Sequence, residues 1–386
     1  MEMTCCALRK KHIHILSAIS AAICMSAHGG HVADAQEIMM KEAWKNAISC
    51  VPDLYMTDTL SLCFLGDVMM HTTQIVEAQS NGRYDFSSYF ELIEDRISSA
   101  DLAIANMEFT LGGEPYTGYP CFSAPDSFAD YLADVGFDVF LAANNHIFDR
   151  GSSGAARTLD IYRRSGEEKG ILFTGLAGNE KERNANTPLI ILRKGIRIGL
   201  INMTYGTNLG RDESWPRTNY IGERDFLKEA FERARNKGAD LVIALPHWGP
   251  EYVLRHSSAQ EETASSLADY GADVIIGAHP HVVQDTSSIK GVLVAYSLGN
   301  AVSNMSAPNT QLELMATLKI VRHKNGDIEV LPLELTWLWC SRPGGFRKSY
   351  TVIPVEEYIG SKETWMGTWE YEKMITTYER VKNHIK

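Results

Sequence analysis

The amino-acid sequence predicts a layered α/β fold with central, mostly parallel or mixed β-sheets, flanked by helices and closed by a C-terminal β-hairpin. Three observations support this fold class. From residue 60 onwards, short apolar runs alternate with segments of helical periodicity. Several runs are apolar at nearly every position, which is typical of strands that are buried on both faces. Near the end of the chain, two segments of alternating polarity flank Asn325-Gly326, a dipeptide that favours a hairpin turn.

The individual elements follow from these periodicities. The apolar runs predict strands at 60–65, 102–105, 139–142, 196–201, 241–245, 274–276 and 292–296, and the hairpin strands lie at 312–321 and 328–337. Helical patterns occupy 126–136, 154–165, 223–237 and about 368–384, the last of them amphipathic. Two further helices begin at sequences typical of a capping box. Ser88 to Glu91 opens a helix that runs to about Ser99, and Ser258 to Glu261 opens one that stops at Gly271.

The charge balance excludes one class of partner. The 386 residues include 37 Lys and Arg against 48 Asp and Glu, which gives a formal net charge of −11. Phosphate backbones bind clustered lysine and arginine, so nucleic acid is not expected as a partner of this acidic chain. No apolar run of about 18 residues follows the first thirty positions, so no membrane span is expected in the middle of the chain.

The first 35 residues resemble a secretory signal peptide. Arg9, Lys10 and Lys11 form a basic cluster, an apolar stretch follows, and Ala33-Asp34-Ala35 has the small-x-small pattern of a cleavage site. We therefore expect an exported protein, either periplasmic or on the cell surface. An uncleaved membrane anchor, or translation from a later methionine, is the alternative interpretation. The expected organisation is a signal peptide at 1–35, a lead segment at 36–59, a main domain at 60–340 and a C-terminal extension at 341–386 that carries the amphipathic helix.

Polar residues follow the predicted strands at the points where the strands end. The carboxyl ends of parallel strands lie at one edge of a sheet, and ligands bind there. We therefore expect these side chains to converge on one crevice. They include Asp67 and His71, Asn106 and Glu108, Asn144 to His146 and Asp149, His247 and Glu251, His279 and His281, and Asn300.

A crevice crowded with carboxylates and imidazoles requires compensating charge, which a divalent metal supplies. Mixed carboxylate, amide and imidazole donors favour Zn, Mn or Fe over Ca. One metal uses about four protein ligands, so the candidate set is large enough for one or two ions. Taken one at a time, each residue is also typical of a turn, a cap or a packed histidine, and His279-Pro280-His281 is the most specific signal. The candidate ligands are Asp67, Glu108, Asn145, His247, His279 and His281.

Six blocks of sequence between residues 60 and 305 occur in a characteristic order. They are Gly66-Asp67-Val68-Met69-Met70, Asn106-Met107-Glu108, Ala143-Asn144-Asn145-His146, His247-Trp248-Gly249-Pro250-Glu251-Tyr252, Gly277-Ala278-His279-Pro280-His281 and Tyr296-Ser297-Leu298-Gly299-Asn300. Together they resemble the CapA family, whose members are associated with bacterial capsule and poly-γ-glutamate synthesis. The resemblance implies a fold like that of the calcineurin-like metallophosphoesterases.

The resemblance also implies roles for single residues. Asp67 and His281 would bind a first metal, Asn145, His247 and His279 a second, and Glu108 would bridge the two. His146 would protonate the leaving group or steady the phosphate. Beyond the resemblance, the positions of neighbouring residues suggest further roles, although a turn or a cap fits each of them at least equally well. Asp149 would orient His146 or support the metal ligands from behind. Substrate binding would fall to His71, Asn106, Asn144, Glu251, Tyr252 and Asn300.

The expected function is that of a metal-dependent hydrolase or transferase in capsule or poly-γ-glutamate metabolism. Water activated by one or two ions of Mn, Zn or Fe would attack a phosphoester or a γ-glutamyl amide. The expected partners are an anionic polymer, or a phosphoester or γ-glutamyl substrate, together with membrane-bound polymer-synthesis proteins. The sequence contains no GxSxG elbow, Walker A loop or GxGxxG fingerprint that would favour another chemistry.

Two departures from the family pattern favour an alternative function. In the family pattern a histidine stands two residues after the first aspartate, whereas this chain has Met69 at that position. The bridging position holds Glu108 rather than an aspartate. The first metal would then be weakly held, use His71, or be absent. The alternative is a noncatalytic accessory protein that binds, exports or anchors an anionic polymer and carries a vestigial metal site.

Overall fold

Two mixed β-sheets form the centre of the protein in a computed structural model that describes residues 59–210 and 214–385. The predicted signal peptide lies outside the described residues and stays a prediction. The strands are β1 Thr59–Val68, β2 Gln79–Ser80, β3 Arg83–Tyr84, β4 Leu102–Met107, β5 Val139–Leu141, β6 Leu172–Thr174, β7 Leu176–Ala177, β8 Leu189–Arg193, β9 Ile196–Thr204, β10 Arg217–Thr218, β11 Leu241–His247, β12 Val274–Ile276, β13 Thr286–Ile289, β14 Val292–Ala295, β15 Leu312–Arg322, β16 Ile328–Val330, β17 Glu334–Ser341 and β18 Thr351–Pro354. The α-helices are α1 Thr72–Ala78, α2 Glu94–Ser98, α3 Asp126–Val135, α4 Gly151–Lys169, α5 Glu180–Asn186, α6 Arg224–Asn236, α7 Ser258–Tyr270 and α8 Thr368–His384, and Val355–Tyr358 is a 3₁₀ turn.

The first sheet has the strand order β18-β17-β15-β1-β4-β5-β6, with β16 also paired to β15. Strands β1, β4, β5 and β6 run parallel. On the other side of β1, β15 pairs antiparallel, from Thr59 opposite Val321 to Phe64 opposite Ala316. The predicted hairpin turn is present, with Gly326 at a φ of +92°. Its strands complete the first sheet.

The second sheet has the order β13-β14-β12-β11-β9-β8. Its four central strands run parallel, and the edge strands β8 and β13 are antiparallel to their neighbours. The parallel strands β9, β11, β12 and β14 are the apolar runs that the sequence assigned to doubly buried strands. The second sheet therefore has a parallel centre and antiparallel edges, whereas the first has a parallel half and an antiparallel half, so both are mixed sheets.

The two sheets pack face to face. Leu62 and Phe64 of β1 meet Leu200 of β9 and Ile243 of β11 in one buried apolar cluster. Helices α1, α3 and α4 cover the outer face of the first sheet, and α6 and α7 cover the outer face of the second. Each fully buried large aliphatic side chain stabilises such a core by about 1.5–3 kcal/mol. The resulting order of helices, sheet, sheet and helices confirms the predicted layered α/β class.

The ends of the parallel strands of both sheets are joined by backbone contacts. The Asp67 N–H at the end of β1 donates to the carbonyl oxygen of Gly299, after β14, at 2.9 Å. Gly66 makes this approach feasible, because a Cβ there would lie 2.0 Å from the Gly299 oxygen. Gly299 itself has a φ of +83°, in the left-handed region that favours glycine. The strand ends that carry polar residues are thus brought to one place.

One predicted helix start is wrong, and one predicted cap is displaced by a residue. Residues 88–93 form turns and the helix is limited to α2, because the Ser88 hydroxyl donates to the Tyr350 carbonyl at 3.0 Å instead of capping a helix. The cap of α7 is Ser257, which forms a capping box with Gln260, so Ser258 is the first helical residue. Gly271 ends α7 with a φ of +106°, as predicted.

The C-terminal segment adds to the same framework. Strand β18 pairs antiparallel with β17, with Leu338 opposite Pro354. Helix α8, whose bounds match the predicted amphipathic helix, buries Met374, Tyr378 and Val381 against residues of β15 and β17. A domain boundary at residue 340 stays a prediction. Within residues 59–210 and 214–385, no helix combines the length and apolarity needed to cross a bilayer.

Candidate metal centre

The six predicted metal ligands lie at strand ends, and each is at most 3 % exposed. Strands β1, β4 and β5 of the first sheet position three of them, and β11 and β12 of the second position the others. The site therefore lies where the carboxyl ends of the two sheets meet, as the strand-end rule predicts. The residues are Asp67, Glu108, Asn145, His247, His279 and His281.

Asp67 is held as an anion by its neighbours. Its Oδ1 accepts a hydrogen bond from Asn106 Nδ2 at 2.7 Å, and its Oδ2 accepts one from the His279 backbone N–H at 3.1 Å. The same Oδ2 lies 3.3 Å from Nδ1 of His281. Burial acts to raise the pKa of Asp67, but His281, His247 and Asn106 outweigh it and hold the pKa below its ordinary value.

Glu108 is a fully buried carboxylate without a hydrogen-bond partner. Neither of its side-chain oxygens is hydrogen-bonded within the described residues. Its Oε1 lies 3.5 Å from Nε2 of His247 and 3.7 Å from Nε2 of His281. Burial, followed by the charge of Asp67, raises the pKa of Glu108 well above its ordinary value. Leaving such a group without a cation or donor costs stability, and a cation bound between these atoms removes that cost.

His247 is held as a neutral imidazole. Its Nε2 lies 2.7 Å from Oδ1 of Asn145, and its Nδ1 lies 3.2 Å from Nδ2 of Asn106. Burial lowers the pKa of His247 to about 3, although the charge of Asp67 acts in the opposite direction. The neutral form is the one that ligates metals.

The segment His279-Pro280-His281 has an unusual backbone. Both histidines have positive φ, +99° for His279 and +59° for His281. Conformations of this kind cost on the order of 1–3 kcal/mol and persist at sites where function requires them. Burial holds the pKa of His279 well below its ordinary value, and its Nδ1 is buried without a partner. Nδ1 of His281 lies 2.9 Å from Oδ1 of Asn300, which leaves Nε2 on the Glu108 side.

Three overlapping groups of side chains have ligand atoms within 4.8 Å of one another. They are Glu108 with His247 and His279, Asp67 with Glu108 and His281, and Glu251 with His279 and His281. The first two groups share Glu108, which is the bridging place that the resemblance implies. The unpartnered atoms of Glu108 and His279 are those that a cation would satisfy. The donor set therefore fits one or two divalent ions, and ligation itself stays a prediction.

His146 lies beside these groups without belonging to them. Its Nδ1 is 2.7 Å from Oδ2 of Asp149, and its Nε2 is 4.0 Å from Oε1 of Glu108. The ring of Phe122 packs edge-on against the imidazole at 4.6 Å between centroids. The geometry is that of an oriented imidazole next to the candidate metal ligands, and the catalytic role of His146 and Asp149 stays a prediction.

The residues predicted to bind substrate occupy different positions. Asn106 and Asn300 lie inside the cluster, where they hydrogen-bond to Asp67 and His281. The side chain of Asn144 hydrogen-bonds to the backbone. Its Nδ2 donates to the Met107 carbonyl at 2.8 Å, and its Oδ1 accepts from the His146 N–H at 3.0 Å. Glu251 and Tyr252 are exposed beside the cluster. Substrate contacts for all of them stay predictions.

His71 stands apart from the ligand groups. It precedes α1, its Nδ1 lies 3.1 Å from Gln74 Oε1, and it accepts a hydrogen bond from the Asn304 N–H at 3.3 Å. Burial lowers the pKa of His71 to about 4. Among the candidate groups in residues 59–210 and 214–385, none includes His71, so the geometry gives no support to its use as a ligand. Met69 is packed in the apolar core.

Sequence reasoning missed three residues around this site. Nδ2 of Asn208 lies 3.1 Å from Nδ1 of His146, and the Tyr205 ring lies 4.6 Å from that of His279. Both follow β9, so the strand-end rule would find them if it were applied to that strand as well. Phe122 lies in the loop between β4 and α3 and has no comparable signal in the sequence.

Comparison with known proteins identifies relatives of this chain. A family model described as bacterial capsule synthesis protein PGA_cap matches residues 61–305. The chain is 27 % identical over 296 residues to the capsule biosynthesis protein CapA of Bacillus anthracis, covering 72 % of this chain and 68 % of that protein. It is 25 % identical over 292 residues to the PGA biosynthesis protein CapA of Bacillus subtilis (strain 168), covering 73 % of each.

Among solved structures, the chain is similar to that of the calcineurin-like phosphoesterase YfkN from Bacillus subtilis. The TM-score is 0.45 at 14 % identity, over 85 % of this chain and 99 % of that chain. The family match spans every strand end that contributes to the site, in agreement with the resemblance seen in the sequence. The chain belongs to the bacterial capsule synthesis protein PGA_cap family.

Proposed function

We propose that this protein is a metal-dependent hydrolase of capsule or poly-γ-glutamate biosynthesis that cleaves a phosphoester or a γ-glutamyl amide. The observation that carries the proposal is the fully buried, unpartnered carboxylate of Glu108 between His247 and His281. A buried carboxylate without a partner does not stabilise a fold on its own. A site that binds a cation for hydrolysis requires such a carboxylate. The names of two relatives supply the biosynthetic setting.

The candidate ligands divide into two sets around Glu108. Asp67 and His281 lie on one side, and His247 and His279 lie on the other. Asn145 extends the second set through its contact with His247. A bound divalent ion, Mn, Zn or Fe, lowers the pKa of water and stabilises a developing oxyanion.

His146 is the residue that delivers a proton in this proposal. Asp149 occupies Nδ1, so Nε2 is the ring atom on the Glu108 side. In hydrolysis, the oxygen of water bonds to phosphorus or to the carbonyl carbon, and the bond to the leaving oxygen or nitrogen breaks. In this step His146 is the imidazolium: it keeps the Nδ1 proton that faces Asp149 and gives the Nε2 proton to the leaving atom. The water loses one proton to solvent, and solvent returns one proton to Nε2, so the step balances. General acid catalysis of this kind contributes about 10²- to 10⁴-fold to the rate.

The proposal also includes a location and partners. The signal-like N-terminal segment supports export, and the relatives' names support an anionic polymer or its precursor as the substrate. Membrane-bound polymer-synthesis proteins are proposed as partners for the same reason. Nucleic acid is not proposed, because the chain carries a formal net charge of −11.

The test combines metal analysis with an activity panel. The purified protein is treated with a chelator, reloaded separately with Mn, Zn or Fe, and assayed on phosphodiesters, phosphomonoesters and γ-glutamyl peptides. We expect one or two ions per chain and hydrolysis of one substrate class that requires reloading. A Glu108→Gln variant should lose both properties, whereas the matched surface variant Glu262→Gln should keep them. Absence of bound metal, together with absence of activity under every condition, would refute the proposal.

A second candidate function rests on one observation. Met69 is buried in the apolar core next to Asp67 and offers no imidazole to the first ligand set. A weak first site is compatible with a noncatalytic accessory protein that binds an anionic polymer. The variant His146→Ala separates the two functions. A hydrolase loses polymer production in cells while its metal content is unchanged, whereas an accessory protein keeps polymer production.

A further inference from the structure

Glu251 lies on a loop that is fixed against the histidine segment of the metal centre. The loop follows β11, and the backbone N–H of Tyr252 donates to the Pro280 carbonyl at 2.8 Å. Tyr252 adopts a φ of +64°, which turns the chain at this point. The Glu251 carboxylate is thereby placed within 4.8 Å of ligand atoms of both His279 and His281. Its position depends on backbone contacts, so it is built into the fold of the site.

The first ligand set leaves room for a further protein donor when the ion is Mn²⁺. Asp67, Glu108 and His281 with one water make the four ligands of a catalytic zinc site, whereas octahedral Mn²⁺ takes about six. No candidate group within residues 59–210 and 214–385 includes His71, and Met69 is packed in the core. Among residues 59–210 and 214–385, Glu251 is the further acidic side chain that comes within ligand distance of His281.

Glu251 also lacks a cationic partner. In the described part of the chain, no lysine or arginine forms an ion pair with it. Its charge acts instead on acidic neighbours, because after burial and Asp67 it contributes to the raised pKa of Glu108. Three carboxylates, Asp67, Glu108 and Glu251, thus lie around the histidines of the centre, and two divalent ions would balance their charge.

We propose that Glu251 is a metal ligand on the exposed side of the centre, where it binds an ion together with His281 and His279. This inference rests on the metal centre of the proposed function but not on the reaction it catalyses. A carboxylate at this place closes the coordination on the solvent side and neutralises one more positive charge. Polar donors of this type suit Mn²⁺ and related ions.

The test measures binding of Mn²⁺ alone to the full chain after removal of metal by chelation. Titration followed by equilibrium dialysis gives the number of ions bound and their affinities for the wild type, Glu251→Gln, Glu251→Asp and the control Glu262→Gln. Glu262 is an exposed residue of α7 and is unrelated to the site. We expect Glu251→Gln to weaken one Mn²⁺ by about 10-fold or more, since even residues that only orient ligands cost about 10- to 100-fold. Glu251→Asp should weaken it similarly, because the shorter side chain keeps the charge but loses the reach.

The visible spectrum of the Co²⁺-loaded protein gives a second readout, because its bands report the ligands of the ion. The bands should change in Glu251→Gln and stay unchanged in Glu262→Gln. Wild-type affinity and an unchanged spectrum in Glu251→Gln would overturn the assignment while leaving the proposed hydrolase intact. Wild-type affinity in Glu251→Asp alone would show that only charge is needed and would overturn ligation. A wild-type protein that binds two ions but hydrolyses nothing would refute the hydrolase and leave the ligand assignment standing.

Discussion

Oδ2 of Asp149 lies 2.7 Å from Nδ1 of His146 and also accepts a hydrogen bond from the Phe122 backbone N–H at 2.8 Å. One oxygen therefore holds both the imidazole and the loop whose Phe122 ring packs against that imidazole. Because Nδ1 is occupied, Nε2 is directed to the side of Glu108. The orientation of the proposed proton donor thus depends on a residue three positions further along the chain.

Replacing Asp149 with asparagine should impair the reaction without removing metal. The amide oxygen can still accept these hydrogen bonds, but the amide lacks the negative charge that stabilises the imidazolium of His146. We expect kcat to fall by about 10- to 1,000-fold with little change in KM, which is part of the 10²- to 10⁴-fold that general acid catalysis contributes. The measurement is a steady-state assay on the active substrate, with metal content determined in parallel. A parallel loss of bound metal would contradict the assignment of Asp149 as a positioning residue.

Replacing Gly66 with alanine should destabilise the protein. The added Cβ would lie 2.0 Å from the carbonyl oxygen of Gly299, so the ends of β1 and β14 must separate. Overpacking of this kind costs typically about 1–3 kcal/mol in the free energy of unfolding. Gly222→Ala is the matched control, because a Cβ at Gly222 meets no atom within 4 Å. Urea unfolding of both variants makes the comparison, and equal stabilities would show that the strand ends separate without cost.

The sequence was sufficient to predict the layered arrangement of sheets and helices and most of the side chains that lie together in the candidate site. Strands such as β4 and β11 are apolar throughout and end in polar residues, so their identity and their shared edge could both be predicted. The prediction of a capping box at Ser88 was wrong, because the Ser88 hydroxyl donates a hydrogen bond to the carbonyl oxygen of Tyr350, far away in the sequence. The same limit applies to Phe122 and to the position of Glu251, since both depend on loops whose conformation is fixed by contacts far apart in the chain. Local patterns identify elements, and tertiary contacts decide which side chains meet.

His71 should make the stability of the metal-free protein depend on pH. Burial lowers its pKa to about 4 in the folded protein, from an ordinary value of 6.5. The unfolded chain therefore binds the proton first, so stability is present in full above about pH 6.5 and declines as the pH falls towards 4. From pH 7.5 to pH 5 the loss from this residue alone is about 2 kcal/mol. In His71→Asn the free energy of unfolding should decline less than in the wild type, by that amount. Urea unfolding with chelator present measures the decline in both proteins. An equal decline in the two would contradict the low pKa of His71.

Metal removal should lower the stability of the folded protein, because bound ions satisfy the buried, unpartnered oxygens of Glu108. In the metal-free state both oxygens of Glu108 and Nδ1 of His279 are buried without partners, and each such group costs about 1–3 kcal/mol. An ion that binds only the folded chain adds about 2.7 kcal/mol to the free energy of unfolding at a concentration 100 times its dissociation constant. We therefore expect the melting temperature to rise when Mn²⁺ is added and to fall back to its metal-free value when chelator is added. His279→Ala should abolish most of this rise, whereas His323→Ala, at an exposed histidine on the turn after β15, should preserve it. If His279→Ala kept the full response to Mn²⁺, the ions would bind elsewhere, and the buried histidines would have to be explained as packing residues.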